Sequence, residues 1–543
     1  MIYAVPTFSI SIEERFCDNI HHMNISNLTK KKVIIVGAGV SGLTAGIYCL
    51  DNGFDVEIYE KHSIPGGECT GWMRQGQYID GCAHWIVGTN PTSELYPLWQ
   101  HIGLFDDGAK TFKTEYITKY MLDDGRIFTF YSDLKKLEQE MLFFFPEDRR
   151  NIRNFISTVK AYHSISVPCK KPLDYMNPFE FTLFGLRMLP AAYPFLHYKH
   201  VSVEEYVSTF HNKELGEIIT RFMEPNYNIH SFFYVCAAVS KDNAGMVEGG
   251  SLELMKKVAR KFARMGGKLF LNAPVKKILI KRDNAQGIIL ENGKEIQADY
   301  VIAACDAYHT LNVLLEGKYK DESFESQFRD AKANPINTSI MIAFKTKRNM
   351  NNFPKMMDYK IDPIDIFGKR TDHFGIRNFA FDKSLASFHD DTLLTILIPA
   401  NEEVYDYLSS LPKDEYRRQK MALGNTFLKL MKEKLHLKDG EIQLLDVTTP
   451  LTYERYTNAY KGSYMSFITT KFTKGLMRPG LIKGLHSFVI AGQWIMPPGG
   501  LPIALISGKH ACQRLCRIDG RKFVNKEERP LLGKLPVKKP QTI

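Results

Sequence analysis

Three glycines near the start of the chain have the spacing of a phosphate-binding loop. Gly37, Gly39 and Gly42 follow the apolar run 33–36 and precede a stretch typical of a helix. The first glycine permits a tight turn, the second lets the backbone approach a pyrophosphate, and the third lets helix and sheet pack closely. Glu60 ends the next predicted strand, where a carboxylate can hold ribose hydroxyls. The pattern predicts a dinucleotide site; the alternative is a structural glycine turn in an ordinary strand–helix–strand unit.

Two further glycine loops narrow the choice of dinucleotide. Gly66 and Gly67 come shortly after Glu60, where a backbone segment can pass beneath a diphosphate. A second strand–loop–helix pattern closes the chain, with the loop at 492–502. A helix N-terminus there would stabilise the negative edge of a reduced flavin. No second G-x-G-x-x-G unit stands out, so we expect no pyridine-nucleotide domain and predict FAD as the sole cofactor.

Composition excludes several classes of protein. The 543 residues, with 44 % hydrophobic and 24 % charged side chains, are typical of a globular chain of two or three domains. The net charge of +11 does not argue for nucleic acid, and it is compatible with an anionic membrane surface. Nine cysteines without a C-x-x-C pair indicate reduced structural thiols and a cytoplasmic location, and we predict no metal site.

One segment could contact a membrane without crossing it. Residues 177–198 carry only Glu180 and Arg187 as charged side chains, and prolines interrupt the segment too often for a bilayer span. It could lie on or dip into a bilayer, as a peripheral membrane protein would. The alternative is a buried lid helix over an apolar substrate cavity. Sequence alone leaves both open.

The α/β pattern occurs in three separated segments, which predicts a discontinuous cofactor domain. We predict a flexible extension at 1–29, an FAD-binding domain from 30–98, 245–310 and 451–520, a substrate domain from 99–244 and 311–450, and a solvated, loosely packed basic tail at 521–543.

These motifs, with segments 76–88 and 453–464, resemble those of the phytoene desaturase-like family of FAD-dependent oxidoreductases. The family includes carotenoid desaturases, carotenoid isomerases and retinol saturases, and the likeness covers roughly residues 31–520. It implies an α/β fold, with a glutathione-reductase-type FAD-binding Rossmann domain and an inserted α+β substrate domain. It also implies a set of residues that contact FAD: Gly37, Gly39, Ser41, Gly42, Glu60, Lys61, Gly67, Glu68, Val275, Gly492, Gly500, Leu501 and Pro502.

The resemblance implies chemistry on an apolar substrate. The flavin would exchange a hydride at N5 with C–C or C=C bonds of a polyene, isoprenoid or unsaturated lipid, as a desaturase, saturase or isomerase. Quinone, oxygen or another acceptor would take the electrons. Apolar and aromatic walls would hold the substrate. His84, in a segment that the family places near the flavin, is the catalytic candidate, with a structural histidine as the alternative. Further cavity candidates are Trp494, Arg455, Tyr460 and Tyr464.

Two other functions compete with this one. An amine-oxidase-like enzyme of the same fold would need an aromatic cage for an amine and a different C-terminal motif. A protein resembling Rab GDP-dissociation inhibitors would use the architecture to chaperone prenylated partners without flavin. The intact glycine loops and Glu60 disfavour the second of these.

Overall fold

The structure is a computed structural model that describes residues 30–82, 85–105, 110–113, 115–386, 391–475 and 477–527. The predicted extension at 1–29 and the candidate His84 lie outside the described residues. The strands are β1 Lys32–Val36, β2 Asp55–Tyr59, β3 Gly71–Arg74, β4 Gln77–Asp80, β5 Ile86–Val87, β6 Thr111–Phe112, β7 Tyr116–Met121, β8 Ile127–Tyr131, β9 Ala244–Val247, β10 Lys268–Phe270, β11 Val275–Lys281, β12 Asn284–Leu290, β13 Glu295–Gln297, β14 Tyr300–Ala303, β15 Ile336–Thr346, β16 Met356–Ile366, β17 Lys369–Asn378, β18 Thr392–Ala400, β19 Ile442–Thr448, β20 Ser463–Phe467 and β21 Phe488–Ile490.

The helices lie between groups of these strands along the chain. They are α1 Val40–Asp51, α2 Tyr96–His101, α3 Leu134–Phe144, α4 Arg149–Tyr162, α5 Pro178–Arg187, α6 Leu189–His197, α7 Val203–Val207, α8 Lys213–Phe222, α9 Ile229–Ser240, α10 Gly250–Arg264, α11 Ala307–His309, α12 Glu322–Arg329, α13 Glu402–Ser410, α14 Lys413–Leu435, α15 Pro450–Thr457 and α16 Leu501–Ile518. Among the described residues, no helix is long and apolar enough to cross a membrane.

A parallel sheet carries the cofactor loops. Its strand order is β10-β2-β1-β14-β21, so three distant parts of the chain build one sheet. Val33, Ile34 and Ile35 of β1 are fully buried, because helices α1, α10 and α16 cover one face and the β11–β13 sheet with α11 and α12 covers the other. Burial on both faces explains why the strand sequences are continuous apolar runs. The boundaries between the cofactor-domain and substrate-domain segments remain a prediction.

The predicted substrate segments contain a second sheet, which is mixed. Its order is β19-β15-β18-β17-β16-β7-β8, and β20 also pairs with β15. Helices α13 and α14 pack on one face. Helices α3, α4 and α6–α9 form a separate helical layer with an aromatic core next to β7 and β8. The sheet face opposite α14 packs on the β3–β4 hairpin.

Of the predicted tail at 521–543, residues 528–543 lie outside the described residues. Residues 521–527 are largely exposed but make specific contacts: Val524 N donates to Asn52 Oδ1 at 2.7 Å, and Tyr48 Oη donates to Glu527 Oε1 at 2.6 Å. Glu527 also pairs with the buried Lys509, so it neutralises a charge that burial would otherwise penalise. The buried-lid interpretation of 177–198 is wrong for α5, none of whose residues is buried.

Candidate active site

The two N-terminal glycine loops lie against each other. Gly66 N donates to Ala38 O at 2.9 Å, and a Cβ on Gly67 would stand 3.4 Å from Gly39 Cα. Gly42 lies beneath this contact, where a Cβ would come within 2.0 Å of Gly37 O. Gly42 is therefore required for packing. Gly37 is required for the turn, since its φ is 102° and a Cβ would lie 2.9 Å from Ala304 O, whereas Gly39 leaves open space beside the backbone.

Two helices present uncapped N-termini at this site. α1 begins after Gly39 and α16 begins after Gly500, and neither has a side-chain hydrogen bond that caps it. The first-turn N–H groups of a helix otherwise lack partners, so such ends favour an anion or an electron-rich group. The arrangement fits a diphosphate at α1, and it offers a second electropositive end at α16.

Glu60 is buried at the end of β2 and is fixed by backbone groups. Ala38 N donates to its Oε2 and His62 N donates to its Oε1, both at 2.8 Å. Each oxygen keeps a further acceptor position for a hydroxyl group. The carboxylate is therefore oriented before a ligand arrives, as a ribose-binding group requires.

One cavity of about 1850 Å³ brings together nearly all the predicted cofactor residues. Of that set, Gly42 alone is not in its lining, because it packs beneath the loop. Lys61 lines the cavity and its amine bonds Arg455 O at 3.1 Å and Asn458 Oδ1. Val275 lines it at the start of β11. Arg455, Tyr464 and Trp494 also line it, whereas Tyr460 packs against Tyr308 and Phe328.

The cavity extends far beyond the glycine loops. A single ligand usually occupies about 300–1,000 Å³, so this volume has room for a dinucleotide and a second molecule. Aromatic side chains dominate the distal part: Tyr120, Tyr162, Phe195, Phe222, Tyr227, Tyr234, Phe374, Phe379 and Phe381. The predicted aromatic wall is therefore present, but charged side chains interrupt it.

A buried ion pair interrupts the aromatic wall of the cavity. Arg221, at the end of α8, donates to Asp358 Oδ1 on β16 at 3.2 Å, and the two side chains are 5 % and 7 % exposed. Burial raises the pKa of Asp358 to about 6, and the charges of His373 and Arg221 only partly offset that effect. Both residues line the cavity. The wall is therefore polar at one place on the sheet.

The structure adds two residues that sequence reasoning missed. Gln493, in the closing loop, accepts from Gly500 N at 3.2 Å and donates to Glu68 Oε2 at 3.3 Å, so it joins two cofactor loops. Asp306 follows β14 and accepts from Tyr460 N and His309 N. Its position just after a buried parallel strand is a signal that could have identified it.

No group of side chains in the described ranges could hold a metal ion.

Glu68 gives the site a testable pH dependence. Burial in the cavity wall raises the pKa of Glu68 to about 8; the Gln493 hydrogen bond lowers it, and the nearby Asp306 adds to the rise. An unfolded chain ionises this group near pH ~4.3. Between these values the unfolded state loses a proton that the folded state keeps, so stability falls as the pH rises through that window.

We therefore expect Glu68→Gln to stabilise the flavin-free protein above about pH 8, by on the order of 1–3 kcal/mol after screening by water in the cavity. Below about pH 4 the variant and the natural protein should be equally stable. Thermal unfolding followed over this pH range measures the difference. Glu295→Gln, on an exposed strand, is the control and should show no such pH trend. A Glu68→Gln curve parallel to that of the natural protein would contradict the assignment.

Comparison with known proteins decides the family. The sequence model of the family described as "Flavin containing amine oxidoreductase" matches residues 40–516. The chain belongs to this family. It is an FAD-dependent oxidoreductase, and its cofactor is FAD. The non-catalytic alternative is set aside, and the predicted fold class and the resemblance to phytoene desaturase-like enzymes are confirmed.

Relatives within the flavin-containing amine oxidoreductases are distant but span the chain. The chain is 24 % identical over 508 residues to a 4,4'-diapophytoene desaturase (4,4'-diapolycopene-forming) of Methylomonas sp, which covers 89 % of this chain and 96 % of that protein. It is 23 % identical over 511 residues to prolycopene isomerase 2 of an Oncidium hybrid cultivar, with 89 % and 83 % covered. Cyclohexylamine oxidase from Brevibacterium oxydans IH-35A has the same fold, with a TM-score of 0.55, 15 % identity, and 91 % and 100 % covered.

Proposed function

We propose that this flavoenzyme acts on C–C or C=C bonds of an apolar polyene, isoprenoid or unsaturated lipid. The observation that carries the proposal is the single cavity that joins the FAD loops to an aromatic chamber. A long unsaturated chain would lie in that chamber with one bond near the flavin. The relatives named for carotenoid desaturation and prolycopene isomerisation support this class of substrate.

Bound FAD supplies reversible two-electron chemistry at such a bond. The chain's own residues bind and orient. The glycine loops and Glu60 would hold the dinucleotide, and Gln493 fixes the position of Glu68 beside it. The aromatic side chains of the chamber exclude water and align the substrate by shape. His84 remains the proposed proton-transfer residue, in the segment between Asp80 and β5.

Anaerobic mixing with a panel of polyenes tests the proposal. A desaturase should lose its oxidised-flavin colour as it oxidises a substrate, and a saturase should regain that colour when the reduced enzyme meets an unsaturated lipid. An isomerase should change double-bond geometry without net change of the flavin. Oxidation of a small amine, with no response to any polyene, would favour the amine-oxidase alternative. Re-mixing with quinone or oxygen then identifies the electron acceptor.

We also propose that the cavity opens at a membrane surface, next to helices α5 and α6. Helices α5 and α6 present an exposed apolar surface, here called the α5–α6 surface: Phe179, Phe181, Leu183, Leu186, Leu189, Tyr193 and Leu196. Phe179 and Tyr193 are each 76 % exposed, and Leu196 is 70 % exposed. Phe195, on α6, and Met188, between the two helices, line the cavity, and exposed Lys170 and Lys199 flank them. Apolar side chains between cations suit an anionic bilayer, from which an apolar substrate could enter.

Replacing Phe179, Leu186 and Leu196 together with serine should remove most binding to anionic lipid vesicles. Transfer of three large apolar side chains into lipid contributes roughly 1.5–3 kcal/mol each, so the partition coefficient should fall at least 100-fold. Phe143→Ser, at an equally exposed position on α3, is the matched control and should bind as the natural protein does. Equal sedimentation of the triple variant and Phe143→Ser with vesicles would contradict the membrane proposal.

A further inference from the structure

Two cysteines face each other across the base of the β3–β4 hairpin. Gly81 N donates to Thr70 O at 3.0 Å, and the ladder pairs Gly71 with Asp80. Continuing this register places Cys69 opposite Cys82 at a non-hydrogen-bonded position. There the Cα atoms of antiparallel strands are about 4.5 Å apart and the side chains share one face. A disulfide needs a Cα separation of about 4.4–6.8 Å.

The two thiols lie near each other and reach the cofactor cavity. The Cys69 thiol is close enough to hydrogen-bond with the Cys82 thiol, and Cys69 Sγ also donates to Ser251 O at 3.8 Å. Both cysteines line the cavity that receives FAD. Cys69 is 3 % exposed, whereas Cys82 is half-buried. A small molecule that enters the cavity therefore meets Cys82 first.

A second group of neighbouring thiols differs from this pair because it does not line the cavity. Cys512 lies beside Cys49 and Cys516 where α16 packs on α1, in the core of the cofactor domain. Cys49 and Cys512 are fully buried, and neither belongs to the cavity lining found among the described residues. Proximity of sulfur atoms occurs in both groups, but access for a reagent occurs only at Cys69 and Cys82.

We propose that Cys69 and Cys82 are a redox-active dithiol in the wall of the FAD cavity, which closes reversibly to a disulfide by exchange with a low-molecular-mass disulfide. The Cys82 thiolate attacks the small disulfide, a mixed disulfide forms, and one small thiol leaves. Cys69 then attacks the Cys82 sulfur, and the second small thiol leaves. Two protein S–H bonds and one small S–S bond are replaced by one protein S–S bond and two small S–H bonds.

Closure of the pair would act on the cofactor site through the chain. Cys69 directly follows the Gly66–Glu68 loop, and Cys82 follows Asp80, which accepts from Ser251 N and Ser251 Oγ at the start of α10. A disulfide would tie the loop to this anchored strand. The oxidised pair should therefore change the environment of bound FAD, which its absorbance reports without any turnover.

The surroundings of Cys82 set the rate of exchange. The hydrogen bond with Cys69 and burial raise the pKa of the Cys82 thiol, and the carboxyl groups of Asp80 and Glu68 add to the rise. Tyr78 and Tyr453 also face the pair, and Arg377 is the opposing cation. Because the thiolate is the nucleophile, exchange should be slow at neutral pH and accelerate as the pH rises.

Peptide mapping of the FAD-bound protein after treatment with glutathione disulfide, at about pH 8.5, tests the proposal. Trypsin cuts after Arg74, and the peptides 62–74 and 75–110 then contain one cysteine each, Cys69 and Cys82. We expect these two peptides to be joined in most chains, with separation after reduction and a shift of the flavin absorbance on closure. Recovery of both peptides with free, alkylatable thiols, or with stable glutathione adducts only, would overturn the proposal.

Two variants test the roles of the individual cysteines. Cys69→Ser should accumulate a persistent glutathione adduct on Cys82, because the resolving thiol is absent; an unmodified Cys82 would contradict its role as the attacking thiol. Cys49→Ser, in the inaccessible group, should leave the 62–74 and 75–110 link intact. If either variant fails to fold, the map of the natural protein decides alone. Failure here leaves the polyene proposal untouched, because that proposal depends on substrate turnover and not on these thiols.

Discussion

Replacing Gly39 with alanine should give a folded protein that binds FAD on the order of 100-fold more weakly, which corresponds to about 2.7 kcal/mol. In the structure a Cβ on Gly39 has room, since its nearest neighbour, Gly66 O, would be 3.9 Å away. The added methyl group would instead occupy the space into which a pyrophosphate must come to reach the backbone. The effect should therefore fall on cofactor binding and not on the fold.

Two glycine variants separate this effect from a structural one. Gly42→Ala should destabilise the protein even without FAD, because its Cβ would collide with Gly37 O at 2.0 Å. Gly185→Ala, in α5, meets open space and should change neither property. Titration of FAD into each flavin-free variant, with a thermal unfolding curve, measures both quantities. Normal FAD affinity in Gly39→Ala would contradict the placement of the diphosphate at α1.

Removing Arg221 should produce the largest loss of stability among the changes considered. Arg221→Leu would leave the Asp358 carboxyl buried without its cation, and breaking such a pair destabilises proteins by about 3–5 kcal/mol. The pKa of Asp358, already raised to about 6 by burial, should rise further in the variant. Because protonation removes the buried charge, the loss should shrink as the pH falls from the variant's higher pKa towards about 6, where Asp358 of the natural protein also becomes protonated.

Denaturant unfolding at several pH values measures this loss. Arg221→Leu combined with Asp358→Asn should recover most of the stability, since no buried charge then remains. Arg418→Leu, which breaks the exposed pair with Glu415 on α14, is the control and should change the free energy of unfolding by less than about 0.5 kcal/mol. A loss in Arg221→Leu that does not depend on pH, or that the double variant fails to reverse, would contradict this account.

The sequence signals for the cofactor site are local, and the residues that they identify lie around one cavity. The glycine spacing, Glu60 and the Gly66–Gly67 pair each act within one strand–loop–helix unit, and the structure brings their loops to one cavity with the closing loop. The fold class followed from the same motifs and from the family resemblance. These features need no knowledge of distant contacts.

Other features could not be predicted because they depend on long-range packing. Arg221 and Asp358 come from different parts of the substrate domain, and nothing near either residue in the sequence identifies its partner. The register of the β3–β4 hairpin, which sets Cys69 opposite Cys82, is likewise a property of the pairing. The contacts of segment 521–527 were not predicted because its lysines, and the prolines that follow it, are typical of a solvated tail, whereas Glu527 reaches the buried Lys509.

The central claim is that FAD in this cavity acts on a bond of an unsaturated apolar chain. Single-turnover mixing without oxygen, followed by mass spectrometry of the extracted lipid, tests it most directly. We expect one equivalent of product per bound flavin, changed by two hydrogens for a desaturase or saturase, or unchanged in mass with altered double-bond geometry for an isomerase. Gly39→Ala without bound flavin should give none. Product formation in that flavin-free variant, or no altered polyene alongside an oxidised amine, would contradict the claim.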